Sequence, residues 1–167
     1  MFAYKIVMVG DFGVGKTSLV KRFVDNSFSE EYLSSIGVSM SKKQLQSTSG
    51  VESTMILWDI EGETEYKPIF KQYLMGAKAF IIVADLTRPE TIHSIEKHIQ
   101  LCLESSKDAV ICIALNKSDL EVRVQKELDT IQKLSENIIS IHKTSAKNGD
   151  DVNTIFNKIN QNVISKL

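Results

Sequence analysis

The residues of this chain with the clearest chemistry lie between two apolar stretches near the start. Gly10-Asp11-Phe12-Gly13-Val14-Gly15-Lys16-Thr17 follows the β-branched run Tyr4 to Val9 and opens a helical pattern from Lys16 to Val24. This is the spacing GxxxxGK[ST] in its proper context, a strand before it and a helix after it. Glycines let main-chain N–H groups converge on phosphate oxygens. The new helix adds unpaired N–H groups and the positive end of its dipole. Lys16 supplies a point charge for the outer phosphates, and the Thr17 hydroxyl can reach Mg²⁺. The plain alternative is a glycine-rich turn with an exposed lysine, which the strand and helix on either side disfavour.

A phosphate loop does not choose a base. Asn116-Lys117-Ser118-Asp119 ends the apolar run Ala109 to Leu115. A carboxylate there can accept from the N1–H and exocyclic amine of guanine, a donor pair that adenine lacks. Asn116 carries donor and acceptor atoms for the base and its neighbouring loop. Thr144-Ser145-Ala146-Lys147 ends the last strand-like run, where a main-chain N–H can meet guanine O6. Alone, each segment reads equally well as a surface turn; together they point to a guanine nucleotide.

The elements that must position these groups alternate along the chain. Val38 to Gln46 and Val51 to Ile60 read as an antiparallel hairpin around Ser47-Thr48-Ser49-Gly50. Ala79 to Leu86 is continuously apolar, as in a strand covered on both faces. Helical spacing runs from Glu90 to Leu103, around Val124 to Leu134, and from Asp150 to Leu167, with Asp150 or Asp151 expected to cap the last helix. Ile138 to Ile141 is a last short strand. Alternation of this kind predicts an α/β domain, a mostly parallel sheet with helices on both faces. Ligands of such sheets bind at the carboxyl ends of the strands, where each motif falls.

Composition sets the outer bounds. The 167 residues suit one domain, 1–167, and 43% apolar with 25% charged residues is ordinary globular usage. A net charge of −1 lacks the basic excess of a nucleic-acid binder. No stretch approaches the length of a membrane span, and the start shows no secretory signal. Cys102 and Cys112 sit in apolar runs without metal-ligand spacing and read as buried free thiols. His93 and His98 are five apart, so they do not share a helix face as an i, i+4 metal pair would. Tyr66 and Tyr73, with Phe70 between them, have helical spacing and read as core packing or as a partner-facing patch.

With these motifs in order, the chain resembles the Ras superfamily of small GTPases, most closely the Rab branch. GDFGVGKT, SSIGV at 34–38, WDIEGE at 58–63, YLMGA at 73–77, NKSD and TSAK carry the resemblance over essentially the whole chain. It implies a P-loop NTPase small G domain with a six-stranded, mostly parallel sheet, one antiparallel strand and five helices. It implies nucleotide contacts from Phe12, Gly13, Val14, Gly15, Lys16, Thr17, Ser18, Phe28, Ser35, Gly62, Asn116, Lys117, Asp119, Ser145, Ala146 and Lys147. Phe28 would stack on guanine, Ser18 would contact the α-phosphate and the Gly62 N–H the γ-phosphate. Mg²⁺ would be held by Thr17, Ser35 and, through a water, Asp59. Lys16, Gly62 and Glu63 stand at the catalytic positions. GTP would order switch loops around 30–40 and 61–75, which effectors would read; an exchange factor is implied, an activator less so. A role in vesicle trafficking follows, with a cytoplasmic monomer at the cytosolic face of intracellular membranes.

Four departures bear on hydrolysis. Glu63 replaces the water-positioning glutamine, and a carboxylate only accepts. Glu61 adds a second carboxylate, so repulsion of the triphosphate, or a push toward protonation, is expected. Phe12 should crowd the route of an activating arginine, a group worth about 10³ to 10⁵ in rate. Ser35 keeps the hydroxyl of a threonine but loses its methyl. Slow hydrolysis, ordinary turnover through Glu63, and a hydrolysis-deficient pseudo-GTPase acting as a passive protein-interaction module all stay open. No cysteine follows Cys112 for prenylation, and the final Ser165-Lys166-Leu167 reads as an accidental match to a peroxisomal address.

Overall fold

The computed structural model describes residues 1–29, 37–65, 67–120 and 128–167, leaving aside the Leu128 side chain. One sheet of six strands runs in the order β2-β3-β1-β4-β5-β6. The strands are β1 (Phe2–Gly10), β2 (Val38–Gln46), β3 (Glu52–Ile60), β4 (Ala79–Asp85), β5 (Val110–Asn116) and β6 (Ile138–Lys143). Only β2 runs antiparallel, paired to β3 with Val38 opposite Ile60 and Gln46 opposite Glu52. The hairpin closes through Gly50 N–H to Ser47 O at 2.9 Å, with Gly50 at φ 82°, a conformation glycine reaches without a steric cost.

The helices are α1 (Lys16–Asp25), α2 (Pro89–His93), α3 (Ile95–Ser105), α4 (Leu128–Ile131) and α5 (Val152–Ile164). Alternation along the strands feeds two cores. Ile6, Met8, Ile81 and Val83 face α1 and α5, where Phe23 stacks on Phe156 with ring centroids 4.0 Å apart. Val7, Val9, Phe80 and Ile82 face the other way, onto Ile95, Ile99 and Cys102 of α3. Every residue of β4 and β5 is buried, as continuous apolar runs require. Cys102 and Cys112 are buried free thiols, as expected.

Several local expectations are corrected. The pattern from Glu90 to Leu103 is two helices, because the chain re-starts at Ser94 between α2 and α3. Only Leu128–Ile131, followed by a 3₁₀ turn at Gln132–Leu134, is described of the helix expected from Val124; its start lies outside the described residues. Phe70 is extended, and Lys71–Tyr73 forms a single 3₁₀ turn; Tyr66 lies outside the described residues. Asp151 does stand at the start of α5, but its side chain caps nothing. It sits at φ 55° and turns to His142, 3.4 Å away, while main-chain bonds such as Val152 N–H to Gly149 O close the turn.

Candidate functional site

The phosphate loop leaves β1 at Gly10 and enters α1 at Lys16. Gly13 and Gly15 adopt φ 76° and 104°, which L side chains rarely reach. A Cβ on Gly15 would also lie 2.3 Å from the Asn116 amide nitrogen. The loop is thereby packed directly against the Asn116 segment. Lys16 is 6% exposed, and both its hydrogen bonds go to main-chain carbonyls, Gly10 O at 3.3 Å and Asp11 O at 3.0 Å. Burial pushes its ammonium down to about 8, against the pull of Asp59 and Asp11. A buried cation held among carbonyls is the electrostatic setting that a polyphosphate would relieve.

Thr17 Oγ1 donates to Asp59 Oδ2 at 2.6 Å, and Asp59 is almost wholly buried at the end of β3. A hydroxyl and a carboxylate oxygen, side by side, are hard donors of the type Mg²⁺ takes. These two residues therefore fit the ion. Ser35, the third expected ligand, lies outside the described residues, as does most of the first switch loop.

The far end of the site is tied together by hydrogen bonds. Asn116, 2% exposed, donates to Val14 O at 3.0 Å and accepts from Thr144 Oγ1 at 3.1 Å. Lys117 reaches Gly13 O at 3.0 Å and the Asp85 carboxylate at 2.8 Å. Burial works against the charge on Asp85, yet Lys117 and the two bonds from Thr87 hold it below the usual carboxylate range. Ser145 Oγ donates to Asp119 Oδ1 at 2.7 Å. Arg22 holds the last segment by its carbonyls, Ala146 O at 2.8 Å and Lys147 O at 2.6 Å. Gly10–Ser18, Asn116–Asp119 and Thr144–Lys147 are thus brought to one edge of the sheet. Phe28 stands beyond α1 and is partly exposed.

The segment after β3 lies on the phosphate loop. A Cβ on Gly62 would lie 2.6 Å from Phe12 Cα and 2.8 Å from Lys16 Nζ, so only glycine fits. Glu63 pairs with the loop through its main chain, accepting from Phe12 N–H at 2.9 Å and donating to Gly10 O at 3.2 Å. Its carboxylate turns to α3, where Lys97 meets it at 2.7 Å. Glu61 is taken by Lys67 at 2.7 Å and by the Gly37 N–H at 3.1 Å. The Lys67 hydrogen bond, with that from Gly37, lowers the Glu61 pKa. Neither carboxylate faces the loop without a cation of its own.

Two neighbours have no counterpart in the motif reading. His98 is buried and its Nε2 lies 2.8 Å from Asp11 Oδ1 and 3.9 Å from Glu63 Oε2. Burial alone would raise the Asp11 pKa, but hydrogen bonds from His98 and Ser94 and the nearby charges bring it below the usual value. Arg88 donates to Phe12 O at 2.9 Å, beside the half-exposed Phe12 ring. The acidic residue within the phosphate loop was the one available hint of a partner for it.

The Ras family model matches residues 5–165. The chain is 32% identical over 166 residues to Ras-related protein Rab-13 of Canis lupus familiaris, covering 98% of this chain and 81% of that protein. It is 33% identical over 168 residues to Ras-related protein Rab-11A of Dictyostelium discoideum, covering 99% and 76%. To Ras-related protein SEC4 of Saccharomyces cerevisiae it is 34% identical over 154 residues, covering 91% and 71%. The chain belongs to the Ras family. It is a small GTPase of the Rab branch, and its sheet, with one antiparallel strand at β2, is the small G-domain fold. Members of this family are GTPases that bind GTP and GDP with Mg²⁺.

Proposed function

We propose that this small GTPase is a guanine-nucleotide switch that hydrolyses GTP slowly and recruits effectors through residues 30–40 and 61–75, in membrane trafficking. The observation that carries the reading is the pair of hydrogen bonds of Asn116, which joins the phosphate loop at Val14 to the Thr144 segment. In this reading the Gly10–Ser18 loop would cradle the phosphates and Asp119 would read guanine at the carboxyl ends of the strands. Main-chain N–H groups of residues 13–18 would hold the phosphates, Lys16 their charge, and Thr17 and Asp59 would hold Mg²⁺, which supplies charge neutralisation when bound. Effectors and an exchange factor are the partners of such a switch, acting on a monomer at the cytosolic face of a membrane.

Slow hydrolysis is supported by Glu63, an acceptor-only side chain whose Oε2 is engaged by Lys97. The same contact keeps a second reading in play, a pseudo-GTPase that holds nucleotide as a passive interaction module. Titration with fluorescent GDP and GTP, with ATP as competitor, tests the common ground. Saturable binding that guanine nucleotides but not ATP displace is expected; equal competition by ATP would end both readings. Single-turnover hydrolysis then separates them, since the passive module shows no turnover and the slow switch shows a measurable rate.

A further inference from the structure

We infer that Lys97 on α3 is a positioning residue for Glu63, holding the carboxylate at the hydrolytic position against α3. The inference rests on the GTP-switch reading and adds the part of the molecule that sets its resting rate.

Lys97 is placed by the core. Its neighbours Ile95 and Ile99 are buried under the sheet, so α3 offers a fixed platform rather than a mobile one. From there Lys97 Nζ meets Glu63 Oε2 at 2.7 Å, and the contact raises the Lys97 pKa, chiefly through the hydrogen bond to Glu63. Next to it, buried His98 braces Asp11 at 2.8 Å, and Asp11 pairs in turn with the Glu63 main chain. Glu63 is thus held at both ends. Its backbone is bonded to Phe12 and Gly10 of the loop, and its carboxylate is bonded to the helix beyond. Lys97 occupies Oε2 and ties the carboxylate to α3, so Oε1 can reach a water at the phosphates only as far as that tether allows. Asp11, Glu63 and His98 lie within 4.8 Å of one another, but the cation seated on Glu63 is the ammonium of Lys97.

The pair is partly exposed, with the Lys97 side chain 57% and the Glu63 side chain 22% accessible. Pairs of that kind shift an equilibrium only a few-fold. Releasing Glu63 should therefore change the rate by a similar factor, about threefold, and not by orders of magnitude.

The test uses the full chain and four proteins: the parent, K97M, E63A and K97M/E63A. Each is loaded with Mg·GTP and followed in a single turnover, and amide exchange at Phe12 and Glu63 is measured in parallel. K97M is expected to hydrolyse GTP about threefold faster than the parent. It is also expected to exchange the Phe12 and Glu63 amides faster. In the E63A background the Lys97 change is expected to have no effect on rate, because its target is gone. A K97M rate equal to or below the parent's, with binding intact, overturns the inference alone. The same rate change in both backgrounds also overturns it, since Lys97 would then act on something other than Glu63. If the parent binds no guanine nucleotide, the functional reading falls and this inference falls with it.

Discussion

The Nδ2 amide of Asn116 donates to the main-chain carbonyl of Val14 at 3.0 Å, across 102 positions of sequence. That bond closes the phosphate loop onto the base-reading segment, and Thr144 fills the other side of the same amide. Replacing Asn116 with Ala removes both bonds in a buried place. The loss of partners for buried polar groups costs roughly 1–3 kcal/mol. N116A is expected to unfold at lower urea by that margin and to bind GDP at least about tenfold more weakly. Chemical denaturation and fluorescent-GDP titration check the two effects; unchanged GDP affinity would separate the loop contact from nucleotide binding.

Lys16 opposes folding in the nucleotide-free protein. Its ammonium is desolvated and held down to about 8. A lysine whose folded pKa is lowered destabilises the fold wherever it is charged in the unfolded chain. The cost is fully present below its folded pKa and fades as pH rises toward its ordinary value. K16M is expected to raise the stability of the nucleotide-free protein by about 1–3 kcal/mol at neutral pH, a difference that shrinks as pH rises above about 8. The same variant is expected to lose GDP affinity by more than about a hundredfold, because the charge facing the phosphates is gone. Thermal melts of the nucleotide-free proteins across pH, beside GDP titrations, read both effects. A less stable K16M would contradict the account.

Asp11 contributes stability of the opposite sign. Its carboxyl is lowered from 3.8 by the balance described above, so it stabilises the fold above its ordinary pKa and ceases to do so as pH falls through its lowered one. D11N is expected to be about 1 kcal/mol less stable than the parent at pH 6, with the gap closing as pH falls through the lowered pKa of Asp11. Urea midpoints at a series of acid pH values test this. A gap that stays constant as the solution is acidified would mean that the contact with His98 is not its source.

Glu63 is the residue whose replacement should speed turnover. A glutamine can both donate and accept, and it brings no negative charge beside the phosphates. E63Q is expected to raise single-turnover GTP hydrolysis by roughly tenfold, which corresponds to about 1.4 kcal/mol of barrier. Loss of the Lys97 ion pair accompanies the change, so K97M should add little to E63Q. A rate at or below the parent's would leave the carboxylate without a role in the slow hydrolysis.

Much of this molecule was legible without coordinates because its signals are local. Gly10 to Thr17 needs only a strand before it and a helix after it, and β1 and α1 supply them at Gly10 and Lys16. Asn116 and Thr144 stand at the ends of β5 and β6, where their apolar runs stop. The two buried strands, the hairpin at Ser47–Gly50 and the buried thiols follow from composition along a few consecutive residues. Backbone geometry and the alternation of apolar positions act over short distances, so short windows report them.

What surrounds Glu63 follows a different rule. His98 meets Asp11 across 87 positions, Lys97 meets Glu63, and Arg88 meets Phe12 across 76. No periodicity places these charges together, and a histidine spacing that argues against a metal pair says nothing of a buried partner on another element. Lys97 and His98 meet their partners because α3 lays Ile95 and Ile99 on the sheet and thereby presents the side chains between them to the phosphate loop, while Arg88 reaches Phe12 from the start of α2. Motif residues announced a nucleotide site through their types and spacing. The charges that compensate Glu61 and Glu63 were settled by packing, since the field at a carboxylate depends on what the fold brings near it.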